Sequence, residues 1–176
     1  HTAYRRQRQM CIRDRYMAAE TKAGTLRIIG EELEALRKRI IANHEAAGQV
    51  ASGRTKGSLK VEMSEDGGVL WGRQAFAVLE TGRGPGKVPK GFYKIIRQWV
   101  EDKGIQVKKP DSFAYLVARK IAKEGTELYR NRKHEEIYSR DLENTVDNIA
   151  SRVSAIYETE VEHINLNFDN ENTYDR

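Results

Sequence analysis

Cysteine is almost missing from this sequence: Cys11 is its single copy. Neither a disulfide framework nor a zinc site built from cysteine ligands can be assembled from it. Long apolar runs are missing as well. The strongest candidate, Leu26 to Ile41, is broken by charge at every turn, well short of the roughly 18 consecutive apolar residues of a membrane-spanning helix. No membrane contact is expected. Histidine is scarce, at His1, His44, His134 and His163, and these positions form no metal-ligand or triad spacing. His134-Glu135-Glu136 has no second histidine at helical distance, so the two-histidine metalloprotease pattern is not met.

The remaining catalytic signatures fail on particular residues. Gly82-Arg83-Gly84-Pro85-Gly86-Lys87 has the glycines of a phosphate-cradling loop. A Walker A loop ending at Gly86-Lys87 would need Gly at 81 and Ser or Thr at 88, where the chain has Thr81 and Val88. Pro85 also removes a backbone donor. The neighbouring carboxylates Glu62 and Glu65, and Glu101 and Asp102, fall on predicted solvent faces, where charge serves solvation rather than acid/base work. The sequence offers no catalytic, metal or cofactor-binding residue, and a non-enzymatic role without cofactors is expected.

With 176 residues, 39% hydrophobic and 32% charged, the composition is that of a soluble globular protein with one core. The net charge of +5 and a pI near 9.3 point first to nucleic acid. Much of that excess lies in residues 1–16, where Arg5, Arg6, Arg8, Arg13 and Arg15 face only Asp14. From Met17 onward 26 basic and 25 acidic residues remain, and the bias is gone. The stretch has no apolar periodicity and no signal-peptide core. Its RQRQMCIRDR portion is similar to the translation of a sequencing-library adapter, and residues 1–16 are read as a non-native leader preceding Met17. The alternative reading is a basic arm that binds nucleic acid.

Periodicity then supplies the architecture. Leu26, Ile29, Leu33, Leu36 and Ile40 line one face of an amphipathic helix from about Thr21 to Ala46. A polar linker runs to Gly57. Leu59, Val61 and Met63 alternate with polar residues, Asp66-Gly67-Gly68 turns the chain, and Val69-Leu70-Trp71 returns, which makes a β-hairpin. Ala75 to Thr81 is strand or short helix. After the Gly/Pro-rich stretch Gly82 to Gly91 comes a helix with Phe92, Ile95, Ile96 and Trp99 facing inward and Gly104 as its stop. Another starts at an Asp111 or Ser112 cap and presents Phe113, Leu116, Val117 and Ile121 until Gly125. The last begins near Ser139, carries Leu142, Val146, Ile149, Val153 and Ile156 inward, and ends near His163. The expected class is α+β: an N-terminal amphipathic helix, a small antiparallel sheet and three C-terminal helices. Residues 17–164 form the single domain, and 165–176 a polar, disordered tail. The helices and the sheet edge offer assembly surfaces, while the commoner fate of Trp71, Trp99 and Tyr115 is a place in the core, and the two readings are compatible.

The order SGRTKGSLKVEM, a turn, a return strand, FAVLETGRGPGKVP and the helix FYKIIRQWVEDKGI resembles the minor tail or tail-completion proteins of long-tailed bacteriophages and prophages. Ser52-Gly53-Arg54-Thr55 with Gly57-Ser58-Leu59 resembles that family's G-R-L-R-x-S-I type strand entry. Leu79-Glu80-Thr81-Gly82-Arg83 resembles its V-E-x-G-T/R motif, with Leu in the first position. AYLVARKIAKEGTELYR, with Gly125-Thr126, resembles a later I-x-x-x-G-T motif. The resemblance covers about residues 19 to 160 and departs at the extended GRGPGK loop, where the broader family often has a shorter arm. It implies a virion structural protein of the tail end or head-to-tail junction, found in the host cytoplasm during assembly. Its partners would be copies of itself in a ring, other neck or tail proteins, and possible phage DNA contact.

Arg83, Lys87 and Lys90 in the loop are the candidate interaction residues. The competing reading is a nucleic-acid-binding accessory protein that uses a basic face around residues 54–94, built from Arg54, Lys56, Lys60, Arg83, Lys87, Lys90 and Lys94.

Overall fold

The computed structural model describes the backbone of residues 2–131 and 136–169 and the side chains of residues 19–131 and 136–161. In chain order it contains α1 (Thr2–Ala46), a 3-10 turn (Lys56–Ser58), β1 (Lys60–Met63), β2 (Gly68–Trp71), a second 3-10 turn (Gln74–Val78), α2 (Phe92–Asp102), α3 (Pro110–Glu124), the one-turn α4 (Glu127–Arg130) and α5 (Ser139–Asp169). The class is α+β, with β1 and β2 forming a two-stranded antiparallel sheet between an N-terminal helix and the later helices.

Several boundaries differ from the sequence expectation. Helix α1 begins at Thr2 rather than near Thr21, so the backbone of the supposed leader is helical. Arg, Gln, Met and Ala are good helix formers, and no glycine or proline precedes Gly24 to stop propagation. The side chains of that stretch lie outside the described residues. Helix α5 runs to Asp169 rather than His163, so the first part of the expected tail is helical; residues 170–176 lie outside the described residues. The ambiguous piece at Ala75 is a 3-10 turn. Helix α3 starts on Pro110 in its first turn, with Lys109 rather than Asp111 or Ser112 at the cap position, because a proline there loses no intrahelical donor.

The chain divides into two compact units. The first takes α1 up to Leu36, Val61–Val69 and α5 from Leu142; the second takes Arg37–Lys60 and Leu70–Asp141. In the first, Ile28 and Leu36 are buried on α1, and the hairpin tip lies against the same helix. A Cβ at Gly68 would meet Leu33 Cδ1 and Met63 Sδ at 2.6 Å, so a larger residue there would have to displace those two side chains. Gly24 faces Ile156 of α5, and Arg152 of α5 bridges Glu31 at 2.6 Å and Glu32 at 2.8 Å. The hydrogen bond from Arg152 holds the Glu31 carboxyl below its ordinary pKa despite the opposing desolvation. On α5, Thr145 is buried and Ile149, Val153 and Ile156 are half-buried, whereas Leu142 and Val146, expected to face inward, are exposed. The apolar stripe is wider than the contact, and its inward edge is set one position away.

The second unit is built on α2 and α3. Ile96 and Val100 pack against Ala114 and Ala118, with Phe92, Val107, Phe113, Val117 and Ile121 closing over them. The alanines occupy the closest approach of the two helices, where a larger side chain would hold the axes apart. That geometry overturns three sequence assignments: Ile95, Trp99 and Leu116 are exposed rather than inward. Trp71 and Tyr115, expected in the core, are exposed too. Helix α2 ends as the sequence suggests. Gly104 takes φ +66, and the bonds Ile105 N→Val100 O and Gly104 N→Glu101 O form the Schellman pattern that satisfies the last carbonyls.

The C-terminal end of α1 is tied to the segment before α5. Asn43 Nδ2 donates to Ile137 O at 3.1 Å and to Asp141 Oδ2 at 2.6 Å, and Ile137 is almost fully buried. His44 is also buried, beside the Phe76 ring. Desolvation lowers its pKa, against the attraction of Glu45.

Candidate interaction site around the glycine-rich loop

The two short motifs separated by some forty residues meet in the second unit. Gly82-Arg83 and Gly125-Thr126 lie side by side: Thr126 N donates to Arg83 O at 2.8 Å, and Arg83 N donates to Thr126 Oγ1 at 2.9 Å. Gly86 N adds a bond to Ala122 O at 2.9 Å. The reciprocal pair fixes the root of the loop to the end of α3. Both glycines are required by position. Gly82 has φ +73 and Gly125 φ +81, and a Cβ on Gly125 would stand 2.7 Å from Arg83 O.

Glu80, one turn earlier, is buried and serves a third element. Its Oε1 accepts hydrogen bonds from Tyr138 N at 2.6 Å and Ser139 N at 2.7 Å, and its Oε2 accepts one from the Ser139 hydroxyl. The carboxylate therefore caps the first turn of α5, where the helix dipole favours negative charge. Burial alone would raise its pKa, but these hydrogen bonds outweigh burial and hold it below the ordinary value.

Arg83 is therefore not a free loop cation. Its guanidinium lies 5.5 Å from the centre of the Phe92 ring and donates to Lys87 O at 2.6 Å. Lys87 and Lys90 are exposed and make no ion pair among the described residues. The candidate trio thus splits: Arg83 shapes the loop, while Lys87 and Lys90 are available to a partner. Changing both lysines to Ser should leave the urea midpoint within the change expected of about 0.5 kcal/mol per site, since exposed substitutions rarely cost more. A cooperative loss several times larger would mean that the loop is held by those side chains.

The wider basic face is partly neutralised. Arg54 pairs with Asp102 at 3.3 Å and Lys56 with Glu45 at 2.6 Å. Glu101 in turn takes Arg97, so Glu101 and Asp102, two of the four carboxylates read as solvent-facing, are ion-pair partners. Among the described residues, no group of three or more His, Cys, Asp or Glu is placed to hold a metal, and no helix is long and apolar enough to cross a membrane.

Beside the clasp lies an open groove of about 990 Å³. Its apolar lining comes from Phe92 and Ile96 of α2, Val117 and Ile121 of α3, Leu128 of α4, and Val78 and Leu79 before the loop. Trp99 forms part of its edge and is 40% exposed. The sequence missed this site because the groove requires Trp99 at the margin of the α2–α3 contact rather than inside it. Trp99→Ala should accordingly cost about 1 kcal/mol by thermal unfolding, far below the roughly 3–5 kcal/mol of a buried tryptophan. A cost in the buried range would place the ring in the core.

The apolar floor and polar margin suit binding of a protein segment. Comparison with family models, with curated proteins and with solved structures returns no match.

Proposed function

We propose that this protein is a non-enzymatic structural component of a tailed bacteriophage, assembling as a ring at the tail end or head-to-tail junction. The observation that carries this reading is the clasp. The Leu79–Arg83 and Gly125-Thr126 motifs, which carry the resemblance to tail-completion proteins, pair across the fold and frame an apolar groove. The second unit also exposes Trp71, Tyr93, Ile95, Trp99, Tyr115 and Leu116 at its surface. Large aromatic and aliphatic side chains at the surface are the usual material of interface cores. A ring also needs one patch that meets a different patch on the next copy.

Nucleic-acid binding is the weaker reading. Arg54 and Lys56 already have acidic partners, and Arg83 is turned onto Phe92 and the loop backbone. Sedimentation velocity with negative-stain microscopy tests the assembly role. The expected result is a discrete oligomer whose images show closed rings. A chain that remains monomeric across the micromolar range, with or without particle proteins, would overturn it.

A further inference from the structure

The groove has a charge pattern as well as an apolar floor. Arg83, Lys103, Lys120 and Arg130 stand around it, against Glu127 alone. Arg130 is partly met by Glu124 at 3.4 Å. Arg83 and Lys103 donate to backbone carbonyls, Lys87 O and Gly48 O, which leave their charge uncompensated. Lys120 is exposed and makes no ion pair among the described residues. An occupant must therefore carry apolar anchors and net negative charge.

One stretch of this chain has that composition. Residues 165–176 read NLNFDNENTYDR, in which Phe168 and Tyr174 alternate with Asp169, Glu171 and Asp175 against Arg176 alone. Aromatic side chains are the residues most often found as anchors in fully desolvated pockets, and complementary charge at the rim selects the partner and speeds encounter. The groove's volume stands at the upper end of the range for small-molecule clefts, and its open form suits a chain segment, here the end of α5 with the residues that follow it, better than a compact ligand.

We propose that the groove of the second unit receives the acidic, aromatic segment 165–176 of a neighbouring copy. This rests on the assembly reading and supplies its missing contact. Segment and groove are different patches, so the contact is heterologous, and its repetition closes a ring where the rotation between copies divides a full turn.

The test uses the full-length chain carrying Phe168→Ser and Tyr174→Ser, which removes its own competing anchors. A fluorescently labelled peptide of residues 165–176 is titrated against it by anisotropy. Saturable binding is expected, weakened about tenfold or more by Lys103→Glu with Lys120→Glu, and weakened also between about 50 mM and about 500 mM salt. Lys120→Glu alone serves as a second variant, because that exposed side chain holds nothing in place. No saturable binding up to about 1 mM, a dissociation constant indifferent to both groove variants, or equal binding of a scrambled peptide would overturn the proposal. The last outcome would assign the groove to some other acidic partner.

Sedimentation separates this from the assembly reading. If the unaltered chain is oligomeric, Phe168→Ser with Tyr174→Ser should reduce it to monomer. An undiminished oligomer overturns the proposed contact and leaves assembly standing. Specific peptide binding by a chain that never oligomerises overturns the contact between copies and the ring alike, and leaves the segment to its own groove.

Discussion

Gly125→Ala is expected to destabilise the protein by about 3 kcal/mol or more, a large effect for one added methyl. Two costs combine. The backbone there has φ +81 and ψ −179, a region essentially reserved for glycine, with strain of about 1–3 kcal/mol for other residues. The new Cβ would also press to 2.7 Å on Arg83 O and 3.0 Å on Tyr129 Cδ1, and forcing atoms into a packed site adds about 1–3 kcal/mol. The clashing atom is backbone, and it belongs to the carbonyl that accepts from Thr126 N. Relief therefore means opening the clasp.

Gly82→Ala should behave alike, with Thr126 Oγ1 at 2.5 Å and Tyr129 N at 2.7 Å. Gly48 separates strain from crowding, since it has φ +64 but open space around its Cβ position. Gly48→Ala should cost only about 1 kcal/mol. Urea unfolding of these variants is the measurement. A Gly125→Ala protein within about 0.5 kcal/mol of the parent would show that the two motifs do not meet as described.

Glu80→Ala should cost about 2–4 kcal/mol. The substitution strips the acceptor from Tyr138 N, Ser139 N and the Ser139 hydroxyl together, and a buried donor left unpaired costs about 1–3 kcal/mol. Glu80→Gln keeps one acceptor oxygen but loses the charge at the start of α5, and should cost about 1–2 kcal/mol.

The pH dependence has a definite sign. The Glu80 carboxyl has a folded-state pKa below the ordinary 4.5, so its contribution is complete above that value and is lost as pH falls through the folded value. His44, lowered from 6.5 by burial, likewise favours the folded state above 6.5. That contribution fades on acidification as the unfolded state takes up the proton first. Stability should thus decline in two stages below neutrality. Glu80→Gln should remove the contribution of this carboxyl from the lower stage and leave the upper one. A Glu80→Gln protein whose acid profile parallels the parent's throughout would contradict the capping role.

The sequence made the element order legible because that order rests on local signals. The alternation at Leu59, Val61 and Met63 marked the hairpin, and Gly104 marked the end of α2 through the left-handed φ that a Schellman turn requires. The facing of side chains was less legible. Ile95, Ile96, Trp99 and Val100 all lie on an apolar arc, and only the partner helix decides that Ile96 and Val100 are buried. In α3 the deciding residues are Ala114 and Ala118, whose small size carries no hydrophobic signal but permits the closest approach.

The site was half visible. Arg83, Lys87 and Lys90 share a Gly/Pro-rich loop, yet nothing local indicates that Arg83 folds back on Phe92 or that Glu80 reaches α5. Both depend on contacts between residues far apart in the chain. The motif Gly125-Thr126 was a signal whose meaning required its partner. Its spacing from Gly82 cannot be read as proximity until α2 and α3 fold back on one another.

The most direct test of the central claim is the composition of purified tailed particles from a bacterium that carries this gene. Proteolytic digestion and quantitative mass spectrometry should find the chain in the particles at several copies each. After dissociation it should fractionate with neck or tail proteins rather than with the capsid shell. A chain abundant in the lysate but absent from the purified particles would contradict the account.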